Sequence, residues 1–212
     1  MRTVLCFGDS NTWGFVPCGN GARFDWATRW PGVLQALLGE EWRVLEEGLN
    51  GRTTMLDNPL NPYRNGRDYL LPCLESHMPL DHVVVYLGTN DLQDRYSMTP
   101  LDIARAATGL GRLVRRSETG PDGGAPDVLV LGLPRLGRDL PETMREARAK
   151  AAELPRCFAL AGDEAGVAVL ELADRVAYDD GDGIHLDAAG HRAVAEAVAA
   201  AVATSPAPSS SR

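Results

Sequence analysis

Five short apolar runs punctuate the chain, at residues 3–7, 43–47, 82–87, 128–131 and 167–170. Each has the length of a buried strand. Between them, apolar positions recur at helical spacing over residues 30–38, 100–115, 142–165 and 188–202. Strands that alternate with helices imply right-handed crossovers and a parallel sheet covered on both faces. The pattern predicts an α/β fold, a three-layer α/β/α sandwich built on a five-stranded parallel sheet. No repeat or internal boundary interrupts it, so residues 1–203 read as one domain. The polar stretch 117–126 reads as a surface loop, and residues 204–212, rich in Ser, Pro and Ala, as a disordered tail.

The first run ends at Gly8, and Asp9, Ser10 and Asn11 follow at once. A strand there delivers Ser10 to the carboxyl end of the sheet, where open α/β folds place their ligand crevices. A helix from Thr12 onward would set the Ser10 N–H near a helix N-terminus, which favours anions. Asp9 or Ser10 serving only as an N-cap explains the same residues, so Ser10 does not stand alone. Three more polar clusters follow other strands. Gly48-Leu49-Asn50-Gly51-Arg52-Thr53-Thr54 comes after the second, Leu87-Gly88-Thr89-Asn90-Asp91 after the third, and Asp179-Asp180-Gly181-Asp182-Gly183-Ile184-His185 after the fifth. Four clusters at one end of one sheet converge on a single crevice.

Composition narrows the partners. Of 212 residues, 44% are hydrophobic and 24% charged, ordinary for a globular protein, and the net charge is −8. That balance, with no basic block, argues against a nucleic-acid partner. No apolar run approaches the roughly 20 residues that span a bilayer, and no signal peptide opens the chain, so no membrane partner and a cytoplasmic location are expected. Cys6, Cys18, Cys73 and Cys157 form no C-x-x-C pair. They read as free thiols, with no zinc site and no disulfide frame.

Acyl transfer by a serine needs a base, a carboxylate to orient the base, and donors for the developing oxyanion. Four histidines are available. His77 and His82 lie at the entry to the third strand, away from the carboxyl ends. His191 sits within the last helix, where packing or solvent exposure suits it. His185 remains, with Asp182 three residues before it. In a tight turn Asp182 can accept from Nδ1 of His185 and leave Nε2 facing Ser10. A turn that only opens the last helix, capped by Asp187, is the competing reading. Gly51 can present its backbone N–H closely to a ligand because it has no Cβ, and Asn90 can offer a side-chain amide. Each also suits an ordinary turn.

Together Gly8-Asp9-Ser10-Asn11, Gly51, Gly88-Thr89-Asn90-Asp91 and Asp182-Gly183-Ile184-His185 resemble the four blocks of the SGNH (GDSL-type) hydrolases, in order and spacing. The resemblance implies the SGNH hydrolase fold, Ser10 as nucleophile, His185 as base and Asp182 as its orienter. It also implies Ser10 N–H, Gly51 N–H and the Asn90 side chain as oxyanion hole, with no metal and no cofactor. A narrower likeness, to the bacterial arylesterase/acyltransferase branch, rests on Cys6-Phe7-Gly8-Asp9-Ser10, Arg29-Trp30, Glu46-Glu47-Gly48-Leu49, Arg52-Thr53-Thr54 and Thr99-Pro100-Leu101-Asp102-Ile103. Two positions depart from these patterns. Asn11 stands where the first block usually has leucine. The stretch 135–140 is shorter and more charged than the branch's apolar segment, which walls the acyl pocket and supports oligomers.

Trp13 and Phe15, beside the nucleophile, are candidates for an apolar substrate pocket, whereas Trp30 suits core packing. Asp9, Arg52 and Asp91 suit structural support better than catalysis. The sequence thus predicts a serine esterase for small short-chain acyl or aryl esters, on a sheet of flavodoxin-like strand order. Acyl transfer to alcohols and homo-oligomer formation stay open. The alternatives are a deacetylase of acetylated carbohydrates or other metabolites and, from another class, a non-catalytic binding module that keeps the crevice.

Overall fold

The computed structural model describes residues 1–203; the expected tail at 204–212 lies outside them. Five strands, β1 (Arg2–Gly8), β2 (Trp42–Gly48), β3 (His82–Tyr86), β4 (Asp127–Leu131) and β5 (Ala168–Leu170), pair in parallel in the order β2-β1-β3-β4-β5. This is the flavodoxin-like order, with the switch point between β1 and β3. Valines and other apolar residues fill the two central strands because both faces are covered. Val4 to Phe7 of β1 and all of β3 are buried.

Among the described residues six α-helices, α1 (Ser10–Trp13), α2 (Trp30–Leu38), α3 (Gly66–His77), α4 (Pro100–Arg115), α5 (Ala147–Ala165) and α6 (Ala188–Ala203), connect and flank the strands. α2 packs on α6, and α4 packs on α5 with α3 beside it, so each face of the sheet carries helices. α4 has a full capping box: Asp102 N–H donates to Thr99 Oγ1, and Thr99 N–H donates back to the Asp102 carboxylate. Among the described residues, no helix is long and apolar enough to cross a membrane.

Two stretches differ from the sequence expectation. α3 was not expected, because Pro72 interrupts its middle and Leu70, Cys73 and Leu74 are its only large buried side chains. Asn65 starts it by accepting from Arg67 N–H. The single helix expected over 142–165 is instead a 3₁₀ turn, Glu142–Met144, followed by α5. The break falls at Arg145 and Glu146, whose N–H groups donate to the Asp94 carboxylate at 3.0 and 3.2 Å.

The register brings the site together. Gly8 is paired with Gly48 on one side and Tyr86 on the other, so β1, β2 and β3 end level. The segments carrying Ser10, Gly51 and Asn90 therefore leave the sheet side by side.

Candidate active site

Ser10 is the first residue of α1, one turn closed by Gly14, whose N–H donates to Ser10 O at 2.9 Å. Gly14 takes φ 89°, open to glycine and strained for other residues. Asp9 caps the turn by accepting from Asn11 N–H at 2.9 Å. Gly8 leaves no room for a side chain, since a Cβ there would lie 2.0 Å from Thr12 Oγ1 and 2.9 Å from Tyr86 O. The turn is thus pressed directly onto the sheet, with Ser10 nearly buried.

The segment from Asp179 to Leu186 carries the other two candidates, Asp182 and His185. Asp182 Oδ1 accepts from the N–H groups of Ile184 and His185 at 3.2 and 3.0 Å, folding the turn on itself. Its other oxygen lies 2.9 Å from His185 Nδ1, and His185 Nε2 lies 2.9 Å from Ser10 Oγ, 175 residues away in sequence. Burial alone would raise the Asp182 carboxyl. The hydrogen bond and charge of His185, with the two turn N–H groups, outweigh that and hold it below the ordinary range. Asp182 is therefore the carboxylate that fixes Nδ1 as the protonated nitrogen, leaving Nε2 to accept from Ser10. Asp187 does cap α6, accepting from Gly190 N–H at 2.7 Å, so the turn opens the helix and holds His185 at once.

The remaining candidates meet from the other side. Gly51 takes φ 75°. Asn90 Nδ2 donates to Arg52 O at 3.0 Å, joining the third cluster to the residue after Gly51. Its second hydrogen is left with only a 3.4 Å contact to Asp9 Oδ2. Neither Ser10 N–H nor Gly51 N–H donates to any described residue. Among the described residues, two backbone donors thus have no partner and the Asn90 amide has only a long second contact.

Phe15 stacks on the His185 ring, centroids 4.4 Å apart and planes 26° from parallel. Trp13 lies next to Phe15 at 6.4 Å and carries the Arg23 guanidinium over its face. Both rings are half-buried, whereas Trp30 is fully buried in the core.

A buried polar frame supports these groups. Arg52 Nη1 donates to Gly8 O at 2.8 Å and Glu47 O at 2.5 Å, clamping the ends of β1 and β2, while its guanidinium lies over Phe7. Asp9 and Asp91 are buried, and burial pushes both carboxyls up to about 6 despite the N–H groups they accept from. Tyr178, which no sequence signal singled out, shares a hydrogen bond with Thr89 Oγ1 at 2.8 Å. His191 is buried at the helix layer, accepting from Trp30 N–H at 3.2 Å. His82 stands at the amino end of β3 against Arg2, but His77 reaches Glu47 Oε1 at 2.8 Å, closer to the carboxyl ends than its sequence position suggested.

Glu47, Cys73 and His77 form a group whose ligand-type atoms all lie within 4.8 Å of one another. Burial, with the Glu47 charge, pushes the Cys73 thiol up to about 12, so it holds its proton and competes neither as nucleophile nor as ready ligand. A cavity of about 930 Å³ opens beside the Leu49 to Arg52 segment, lined by Arg64, Tyr63 and Tyr69 among others. Ser10 and His185 do not line it.

A family model described as GDSL-like lipase/acylhydrolase matches residues 6–193. The chain belongs to this family. It is a carboxylic ester hydrolase. All four GDSL blocks fall within the matched residues. Among solved structures, the native aryl esterase of M. smegmatis is 36% identical, with 96% of this chain and 99% of that one covered and a TM-score of 0.88. Its inhibitor-bound form is 38% identical over the same shares, with a TM-score of 0.89. A carbohydrate acetylesterase from Sinorhizobium meliloti is 36% identical, again covering 96% and 99%, with a TM-score of 0.88. No curated protein matches the chain. The five-stranded parallel sheet is the architecture this GDSL hydrolase shares with those neighbours.

Proposed function

We propose that this hydrolase is a serine esterase of small short-chain acyl or aryl esters, acting through an acyl-enzyme on Ser10. The observation that carries the reading is the unbroken path from the Asp182 carboxylate through both nitrogens of His185 to Ser10 Oγ, with 2.9 Å at each link. Such contacts are within proton-transfer reach.

Ser10 Oγ attacks the carbonyl carbon as its proton passes to His185 Nε2. The N–H groups of Ser10 and Gly51 and the Asn90 amide receive the negative oxygen; loss of one such donor in another hydrolase costs about 3–4 kcal/mol in the barrier. As the tetrahedral intermediate collapses, the ester C–O bond breaks and Nε2 returns the proton to the leaving alcohol. Water then attacks the acyl carbon, giving a proton to the same nitrogen, and the acid leaves as Ser10 Oγ is reprotonated. Asp182 stays ionised and stabilises the imidazolium. Every reacting group is supplied by the chain, so the scheme needs no metal or cofactor. Phe15, stacked on His185, and Trp13 beside it offer apolar surface that suits a short acyl chain or an aromatic leaving group.

The second reading, deacetylation of carbohydrates or other metabolites, is favoured by the likeness to the S. meliloti enzyme. The same machinery would serve it. Rates on p-nitrophenyl esters of rising acyl length, aryl acetates and peracetylated sugars, with and without an added alcohol, separate hydrolysis, deacetylation and acyl transfer. The aryl-ester reading expects the highest kcat/KM on short aryl esters. A clear preference for the sugars would replace it with the second.

A further inference from the structure

Asn11 follows the nucleophile directly and is only 1% exposed. Its side chain leaves its own turn and crosses to the segment around His185. Asn11 Nδ2 donates to Ile184 O at 3.0 Å, and Asn11 Oδ1 accepts from Leu186 N–H at 2.9 Å. These two groups belong to the peptide links on either side of His185. One amide side chain therefore brackets the histidine backbone, as a neighbouring strand would.

We propose that Asn11 is a positioning residue that holds His185 against Ser10. The inference rests on the reading of these two as base and nucleophile. Asn11 is itself anchored, because its N–H donates to the Asp9 carboxylate at 2.9 Å. The support runs from Asp9 to Asn11, and from Asn11 to both peptide links of His185. On the far side, Asp182 grips the His185 N–H at 3.0 Å and the ring at Nδ1. His185 is thus held from two directions. Asp182 sets the tautomer and ring rotation, and Asn11 sets the distance between the turn and the nucleophile helix. Leucine, usual in the first block, matches asparagine roughly in size and can make neither hydrogen bond. In this buried setting it would leave the Ile184 carbonyl and Leu186 N–H without partners, so the turn would have to move to recover them. Displacements of about 1 Å in a reacting pair can cost on the order of 100-fold in rate.

The test compares wild type, Asn11→Leu, Asn11→Ala and Ser10→Ala on p-nitrophenyl acetate, with active sites counted by complete reaction with an organophosphate and folding followed by circular dichroism. The proposal expects Asn11→Leu to lose about 10- to 100-fold in kcat per titrated site, with KM little changed. It also expects the downfield proton NMR signal of the His185 Nδ1–H to broaden or vanish while the fold persists. Wild-type kcat per site with that signal intact would overturn it, as would a loss of activity fully matched by a loss of titratable sites. Should Asn11→Leu fail to fold, Asn11→Ala is judged by the same criteria. If neither folds, Asn11 is an anchor of the fold and the proposal fails. Ser10→Ala separates the two levels: retained activity there removes the nucleophile assignment itself, whereas an inactive Ser10→Ala beside a fully active Asn11→Leu removes only the positioning role.

Discussion

Asp91 grips Thr54 by both its amide and its hydroxyl. The Thr54 N–H is shared between the two carboxylate oxygens at 3.2 and 3.1 Å, and the hydroxyl donates to Oδ1 at 2.5 Å. Because Asp91 follows Asn90 and Thr54 follows the Gly51 segment, this contact and the Asn90–Arg52 bond lock the two proposed oxyanion donors to each other. Asp91→Ala should lower stability by about 1–3 kcal/mol, the cost of leaving buried partners unpaired. It should also reduce kcat more than KM changes. Urea unfolding with steady-state kinetics checks both, and an unchanged kcat would separate the Thr54 contact from the donors.

Two buried groups impose opposite pH slopes on stability. Burial lowers the His191 pKa to about 4 against an ordinary value near 6.5, so its contribution is complete above 6.5 and is lost as pH falls toward 4. Asp91 is raised to about 6, so its contribution is complete below the ordinary carboxylate range and is lost as pH rises through 6. His191→Asn keeps an acceptor for Trp30 N–H and should remove roughly 3 kcal/mol of acid-side loss relative to wild type. Asp91→Asn should remove a loss of similar size, roughly 3 kcal/mol, in the opposite direction. Unfolding free energies measured from pH 4 to 7 for the three proteins read the differences directly.

The Phe15–His185 stack contributes to the orientation of the imidazole. A ring pair of this kind is worth about 0.5–1.5 kcal/mol, so Phe15→Leu should lower kcat/KM by about two- to tenfold. Aryl and alkyl acetates compared side by side show whether the ring also receives the substrate, since a loss confined to aryl esters assigns it a direct contact.

Asp182→Asn reverses the donor at Nδ1 and puts the proton on the wrong nitrogen. The equivalent change in another serine hydrolase lowers kcat by about 10⁴-fold with geometry intact. A loss of several powers of ten with an unchanged fold is expected here. A loss below tenfold would show that His185 is oriented by other contacts.

Much of this arrangement is legible in the chain because it obeys periodic rules. Strand-length apolar runs place Gly8, Gly48 and Tyr86 near the level end of the sheet, and it is the joint placement of four polar clusters there, each ordinary alone, that reads as a crevice. The Asp182–His185 spacing is readable for the same reason, as a single turn closes it. α3 was hidden because Pro72 looks like a breaker and its buried face is narrow. The break ahead of α5 depends on Asp94, about 50 residues earlier, which no local pattern reports. The sequence marks Asn11 only as a departure from leucine and does not mark Tyr178 at all, for a related reason. Their partners, at Ile184 and Leu186 and at Thr89, are neighbours only after the sheet has formed. The strand order itself came from the likeness of the four blocks and not from the apolar runs.

Covalent labelling decides whether Ser10 is the proposed nucleophile of this esterase. Treatment with an organophosphate during turnover, followed by intact-mass measurement and peptide mapping, should show one adduct, located on Ser10, rising in step with the loss of esterase activity. Full activity with no adduct, or inactivation accompanied by an adduct elsewhere while Ser10 stays unmodified, would contradict it.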